Sequence, residues 1–113
     1  MIDLIDKDSR YERYEIMTTL DEIRRIIDKH RDELRVEHKI KEIAVFGSYA
    51  RNEQRKKSDV DLLAVFEESA SLLDLVGAEQ YLSKILRAKV DLIPKDGIRP
   101  ELKDIILKEA IPV

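Results

Sequence analysis

The sequence has 113 residues, 43% hydrophobic and 40% charged, and its net charge is −3. This length predicts a single domain over residues 1–113 with one modest core. The slightly acidic balance excludes a dedicated duplex binder, which needs a basic surface, so we expect no direct contact with nucleic acid. Because there is no cysteine, disulfides and thiolate metal sites are excluded as well.

The hydrophobic segments are short. The longest unbroken apolar run, Leu62–Phe66, is far too short to cross a membrane. The charged N-terminus does not resemble a secretion signal. We therefore expect a cytoplasmic protein with no membrane partner.

The chain begins with a charged segment and a first long helix. Residues 1–17 have no clean apolar stripe, and we interpret them as an arm or an extra helix. Thr19 and Glu22 have the spacing of a capping box, which predicts a helix from there to about Val36. We interpret His30, on or near the apolar side of this helix, as a core-edge histidine. The apolar positions of this helix are Leu20, Ile23, Ile26, Ile27 and Leu34.

Two strands with a polar connection follow. Ile43–Phe46 is apolar on both faces, which predicts a central strand. A short helix is expected after Ser48, reaching to about Asn52. Arg55–Lys57 forms an exposed connection, and Asp59–Phe66 is the second predicted strand.

The second half alternates helix and strand. A helix is predicted to begin at Ser71 or Asp74, and we interpret Gly77 within it as a site of close packing. Lys89–Ile93 is the third strand, and Pro100 begins a last helix. The positions expected to be buried in the two helices are Leu72, Leu73, Leu75, Val76, Tyr81, Leu82, Ile85, Leu86, Leu102, Ile105 and Ile106. The fold class is therefore α/β (α+β), with a small mixed three-stranded sheet packed by about four helices.

Three carboxylates stand out by their positions on strands. Asp59 and Asp61 are two residues apart and point to the same face of a strand. Two like charges about 6 Å apart repel by roughly 3 kcal/mol at an effective dielectric near 20, so such a pair usually holds a cation. Asp91 is the only acid in the third strand and can join them if the second and third strands are neighbours. Mg²⁺ favours such oxygen ligands.

A glycine turn precedes the carboxylates. After Gly47 and Ser48, backbone N–H groups can face a phosphate, as they do at helix N-termini. A phosphate cradle opposite a carboxylate pair indicates metal-assisted nucleotide chemistry. The sequence lacks the Walker-type glycine-lysine loop, and leucines follow Asp61 where a calcium loop needs a glycine turn, so both of those sites are excluded.

These residues resemble a known family. Gly47–Arg51 (GSYAR), followed after a short basic loop by Ser58–Leu62 (SDVDL), is similar to the signature of the DNA polymerase β-like nucleotidyltransferases. The closest likeness is to the minimal nucleotidyltransferases, which are the antitoxin halves of prokaryotic toxin–antitoxin pairs. The chain departs from the family at Tyr49 and Asn52, where arginine and glycine are frequent.

The resemblance implies a role for each residue of the motif. By it, the nucleotide triphosphate is held by Gly47, Ser48, Arg51 and Ser58. Asp59, Asp61 and Asp91 are implied as catalytic residues and as ligands of Mg²⁺, with two ions expected. Asp91 would assist the metal or take the proton from the acceptor hydroxyl.

The resemblance also implies a function and a partner. The leading hypothesis is transfer of AMP from ATP to a tyrosine of a partner HEPN-domain toxin, by which the chain acts as an antitoxin. The alternative is a non-catalytic antitoxin that neutralises its partner by direct contact. Modification of an aminoglycoside or a tRNA end would need an additional domain. The sequence leaves a homo-oligomer open.

Overall fold

The computed structural model describes residues 19–55 and 58–113. The predicted arm at residues 1–17 and the two lysines of the basic connection, residues 56 and 57, lie outside the described residues. The elements are α1 (Leu20–Lys29), α2 (Arg31–His38), β1 (Ile40–Phe46), a 3₁₀ turn (Gly47–Tyr49), β2 (Val60–Phe66), α3 (Leu72–Leu86), β3 (Val90–Pro94), a second 3₁₀ turn (Lys95–Gly97), α4 (Pro100–Glu109) and β4 (Ile111–Pro112).

The first predicted helix is two helices that meet at His30. Thr19 caps α1 as predicted, and its hydroxyl accepts the Glu22 N–H at 3.2 Å. At His30 the backbone leaves helical geometry (φ −113°, ψ 15°), and the ring Nδ1 donates to the Ile26 carbonyl at 2.9 Å. The ring also stands edge-on to Tyr81 at 5.9 Å between centroids, so His30 is a structural, half-buried residue as expected. The apolar period continues through this break, which is why the sequence pattern shows one helix.

The sheet has four strands in the order β3-β2-β1-β4, one more than predicted. β1 pairs antiparallel with β2 and β4, while β2 and β3 are parallel. The additional strand is the two-residue β4, in which Ile111 lies opposite Val45 and Pro112 opposite Ala44. A two-residue segment containing proline has no alternating pattern, so the prediction of three strands was wrong for a physical reason.

Helices cover both faces of the sheet. On one face, α1, α2 and α3 pack against alternate strand residues such as Val45, Val60 and Leu62, each with 0% exposure. On the other face, Ile106 of α4 packs with Phe46 and Leu63. Since strand side chains alternate, Asp61 and Asp91 lie on the α4 face, beside this smaller cluster.

Several apolar side chains expected in the core are exposed. Leu73 is 81% and Ile105 62% exposed. Leu72, Val76 and Leu102 are exposed as well. The buried residues of α3 are Ala78, Leu82 and Leu86, which form one stripe at four-residue spacing. The first turn of α3 lies before this stripe and remains exposed. Among the described residues, no helix is long and apolar enough to cross a lipid bilayer.

Candidate active site

The glycine turn at the end of β1 touches the carboxylate of the neighbouring strand. Gly47 has φ +74°, a conformation that favours glycine. A Cβ at this position would lie 2.2 Å from Asp61 Oδ2, which is closer than any van der Waals contact. Phe46 and Asp61 are paired in the sheet, which fixes this approach. The chain therefore needs glycine here for two independent reasons.

The parallel pairing of β2 and β3 brings two of the predicted acids together. Asp61 and Asp91 are register partners on adjacent strands. The pKa of Asp61 is raised above its ordinary value, first by burial and then by the negative charges of Asp91, Asp59 and Glu109, while Arg51 lowers it. Asp61 is thus a half-buried carboxylate among like charges, the arrangement that a bound cation relieves.

Asp59 lies one residue before β2, outside the strand. Its side chain is 40% exposed, and its Oδ2 is 3.8 Å from Lys89 Nζ. Tyr49, buried beneath the turn, has a raised pKa because of burial and, to a lesser extent, the charge of Asp59. The charge of Asp59 therefore acts on Asp61, while its side chain also forms an ion pair with Lys89.

The acids fit Mg²⁺ by chemistry but are not gathered into a finished ligand set. Across residues 19–55 and 58–113, no three or more histidine, cysteine or acidic side chains are already grouped to hold a metal ion. The pKa of Asp61 is raised by burial and then by repulsion from the neighbouring acids, and this repulsion supports a cation at this place. Asp59 also has a cation within reach, since its Oδ2 lies 3.8 Å from Lys89 Nζ.

The other predicted nucleotide-binding residues surround the turn. Ser48 follows Gly47, and its carbonyl accepts the Glu53 N–H at 2.8 Å. Asn52 adopts φ 58°, a left-handed geometry that glycine adopts freely. This accounts for the frequent glycine at this family position, and asparagine tolerates the same geometry. The Ser58 hydroxyl accepts the Arg55 N–H at 2.7 Å and so closes the loop before β2.

Arg51 is bound to two carboxylates. Its Nε donates to Glu53 at 2.9 Å, and its Nη1 donates to Glu109 at 2.7 Å. Sequence reasoning missed Glu109, which lies at the end of α4 and also accepts the Gly47 N–H at 2.7 Å. No local motif marks this glutamate, because Gly47 lies 62 positions earlier in the chain.

Comparison with known proteins agrees with this geometry. The model of the family "Nucleotidyltransferase domain" matches residues 27–113. The chain belongs to this family. The predicted protein adenylyltransferase MJ0126 of Methanocaldococcus jannaschii is 50% identical over 96 residues, which cover 84% of this chain and 98% of that protein. Protein adenylyltransferase MntA of Thermococcus cleftensis is 42% identical over 97 residues, covering 86% and 98%.

Solved structures share the fold. A structure described as a predicted minimal nucleotidyltransferase superposes with a TM-score of 0.73 and 36% identity, over 85% of this chain and 97% of that chain. A chain from the complex of a tri-AMPylated Shewanella oneidensis HEPN toxin with its MNT antitoxin gives a TM-score of 0.57 at 18% identity, over 80% and 70%, a likeness of fold alone. The resemblance to minimal nucleotidyltransferases, the fold class and the nucleotidyltransferase assignment are thereby confirmed. The roles of the individual site residues stay predictions.

Proposed function

We propose that this protein is an antitoxin that transfers AMP from Mg-ATP to a tyrosine hydroxyl of a HEPN-domain toxin. The observation that carries the proposal is the register pairing of Asp61 with Asp91 beside the Gly47 turn. Carboxylates next to a glycine turn at the end of a strand are suited to a metal-bound triphosphate. The names of the relatives support AMP as the transferred group and protein as the acceptor.

The chain's own residues would orient the two reactants. The backbone after Gly47, with Ser48, would receive phosphate oxygens, and Arg51 would add positive charge. The Ser58 hydroxyl accepts the Arg55 N–H, and its own O–H would donate to a phosphate oxygen. Tyr49, in place of the arginine that is frequent in the family, is buried in the core and leaves Arg51 as the charged side chain of the turn.

Asp59, Asp61 and Asp91 would hold Mg²⁺, with two ions expected. The metal would neutralise the triphosphate and lower the pKa of the attacking hydroxyl. Asp91 would accept the proton of the tyrosine hydroxyl. A bond forms between the tyrosine oxygen and the α-phosphorus of ATP. The bond between that phosphorus and the oxygen that joins it to the β-phosphorus breaks, and pyrophosphate leaves.

The same comparisons support the proposed partner. The HEPN toxin of the Shewanella oneidensis complex carries AMP, and its MNT antitoxin has this fold. An AMP group would add negative charge and bulk where a ribonuclease binds RNA phosphates, which would inactivate the toxin. Adenylylation would in this way be enough to neutralise the toxin.

The test is to incubate a co-encoded helical toxin with ATP, Mg²⁺ and one of three proteins: the wild type, Asp61→Asn or Asp32→Asn. Asp32 is the matched control, because its side chain lies on α2 and is 95% exposed. Intact-mass spectrometry should find AMP on the toxin, and ribonuclease activity should fall, with the wild type and Asp32→Asn only. Equal silencing by Asp61→Asn without any adduct would instead establish the contact antitoxin.

A further inference from the structure

Glu109 is a carboxylate of the site that the family signature does not contain. We propose that Glu109 is a positioning residue, whose carboxylate fixes the Gly47 turn and aims the Arg51 guanidinium for the nucleotide, without binding the metal. This inference rests on the proposed function for the identity of the ligand. It adds the end of α4 to a site otherwise built from β1, β2 and β3.

The geometry is a two-pronged contact. Oε2 of Glu109 accepts the Gly47 N–H, and Oε1 accepts Arg51 Nη1, both at 2.7 Å. Each carboxylate oxygen is therefore used by a different nucleotide-binding residue. Hydrogen bonds to a charged acceptor are the stronger kind, so this single side chain restrains both the turn and the arginine.

The backbone on both sides of Glu109 is held in place. Ile106, one helical turn earlier, is buried against Phe46, the residue before the glycine turn. Two residues after Glu109, Ile111 pairs with Val45 of β1. The Glu109 side chain is accordingly only 18% exposed, and the end of α4 is tied to the strand that carries the turn.

A fourth carboxylate here is electrostatically unfavourable by itself. Glu109 contributes to the repulsion on Asp61, whereas Arg51 counters it. Because the Arg51 charge offsets this repulsion and Glu109 binds Arg51 directly, Glu109 is tolerated as the partner of the arginine. Its two oxygens already accept the Gly47 N–H and the Arg51 guanidinium, which leaves one lone pair on each oxygen for any further partner.

A competing interpretation predicts the opposite change in nucleotide affinity when Glu109 is removed. If the Glu109 carboxylate merely occupied the donors meant for a phosphate, the triphosphate would have to displace it. Removing its charge would then strengthen nucleotide binding. If Glu109 positions the turn and the arginine, its removal weakens binding, so one measurement of affinity separates the two.

Three variants test the proposal. Glu109→Ala removes both contacts. Glu109→Gln keeps the size but turns an amide N–H₂ toward one of the two donors. The matched control is Glu53→Gln, since the Glu53 side chain also binds Arg51, while its contact with the turn is made by the backbone N–H and is kept in the variant. Calorimetry with Mg-ATP should show about 10- to 100-fold weaker binding for both Glu109 variants, and less than about threefold for the control.

Two further measurements separate positioning from a structural or metal-binding role. Hydrogen exchange of the Gly47 amide in the nucleotide-free protein should be about tenfold faster or more in Glu109→Ala, with a folded spectrum. The Mg²⁺ concentration for half-maximal transfer should stay unchanged in Glu109→Gln, although the transfer rate falls.

The proposal is overturned by tighter Mg-ATP binding, by losses equal to those of Glu53→Gln, or by a changed Mg²⁺ requirement. If the wild type binds no nucleotide, the proposed function fails. Exchange of the Gly47 amide still decides whether Glu109 holds the turn.

Discussion

At the scale of single residues, Gly47 lies where any side chain would collide with Asp61, a candidate catalytic residue. A Cβ added at residue 47 would have to accept the left-handed φ of +74° and would also lie 2.2 Å from Asp61 Oδ2. The two effects add, because a new rotamer of Asp61 would move its Oδ2 away but would leave the left-handed strain at residue 47. On the proposed function, this position would therefore link nucleotide binding to folding.

Gly47→Ala should lower the free energy of unfolding by about 1 to 3 kcal/mol, from the left-handed strain and the contact with Asp61. Urea unfolding followed by circular dichroism measures the change. Mg-ATP affinity should fall in the same variant. A variant as stable as the wild type would mean that the turn has more room than its geometry indicates.

Gly77 is a contrasting glycine. A Cβ there would be 3.9 Å from His38 Nδ1, an ordinary contact, so close packing does not explain it and that interpretation was wrong. Gly77→Ala should raise the free energy of unfolding by about 0.5 to 1 kcal/mol, since alanine favours helix. The same urea titration provides the test, and a loss of stability would point to crowding in α3.

Asp61 predicts how stability depends on pH. Because its pKa is raised in the folded protein, the native state binds the proton more tightly than the unfolded chain, so stability falls as pH rises through the raised pKa. Asp61→Asn should therefore raise the thermal midpoint by a few degrees at pH 7 in EDTA, and the gain should vanish well below the ordinary carboxyl pKa. The comparison is Asp32→Asn, whose side chain is 95% exposed. A destabilised Asp61→Asn would assign this acid a structural role.

At the scale of elements, the free edge of β3 is closed by side chains from α3. Ser83 Oγ accepts the Val90 N–H at 3.2 Å, and Glu79 Oε2 accepts the Leu92 N–H at 3.0 Å. These are the backbone groups by which an edge strand recruits another strand. The opposite edge is the two-residue β4 with Pro112, which lacks a backbone donor.

Glu79→Ala should cost about 1 to 2 kcal/mol in the free energy of unfolding, because the Leu92 N–H loses its acceptor. It should also increase aggregation on heating, measured by light scattering. Gln80→Ala is the control, since Gln80 is an exposed neighbour on the same helix. Identical behaviour of the two variants would show that the edge needs no such protection.

The sequence predicted those elements whose signal is local. The glycine turn, the strands around it and Pro100 at the start of α4 follow from short spacings. The exposed first turn of α3 did not, because hydrophobicity does not tell which apolar side of a helix meets the sheet. Glu109 had no local signal, since its partners come from a distant segment. The proximity of Asp91 to Asp61 was predicted only on condition that their strands are neighbours, which they are.

At the scale of the whole molecule, one face of the sheet carries the larger core and the other carries the candidate chemistry. The larger core packs under α1, α2 and α3. On the opposite face, α4 contributes the small cluster around Ile106 and, at its end, Glu109. Substitutions in the larger core should therefore affect stability first, and substitutions at the end of α4 should affect nucleotide binding first.

The chain order of these parts has a consequence during synthesis. Glu109 follows Gly47 by 62 positions, so at about 5 to 20 residues per second the ribosome separates them by about 3 to 12 s. In that interval the turn has no carboxylate partner and β1 has no β4. Ribosome-bound chains stalled before residue 109 should then fail to retain Mg-ATP, while chains carrying all 113 residues and an added C-terminal linker that clears the exit tunnel should retain it. On the proposed function, a toxin made in the same interval would meet an enzyme whose Gly47 turn is not yet complete.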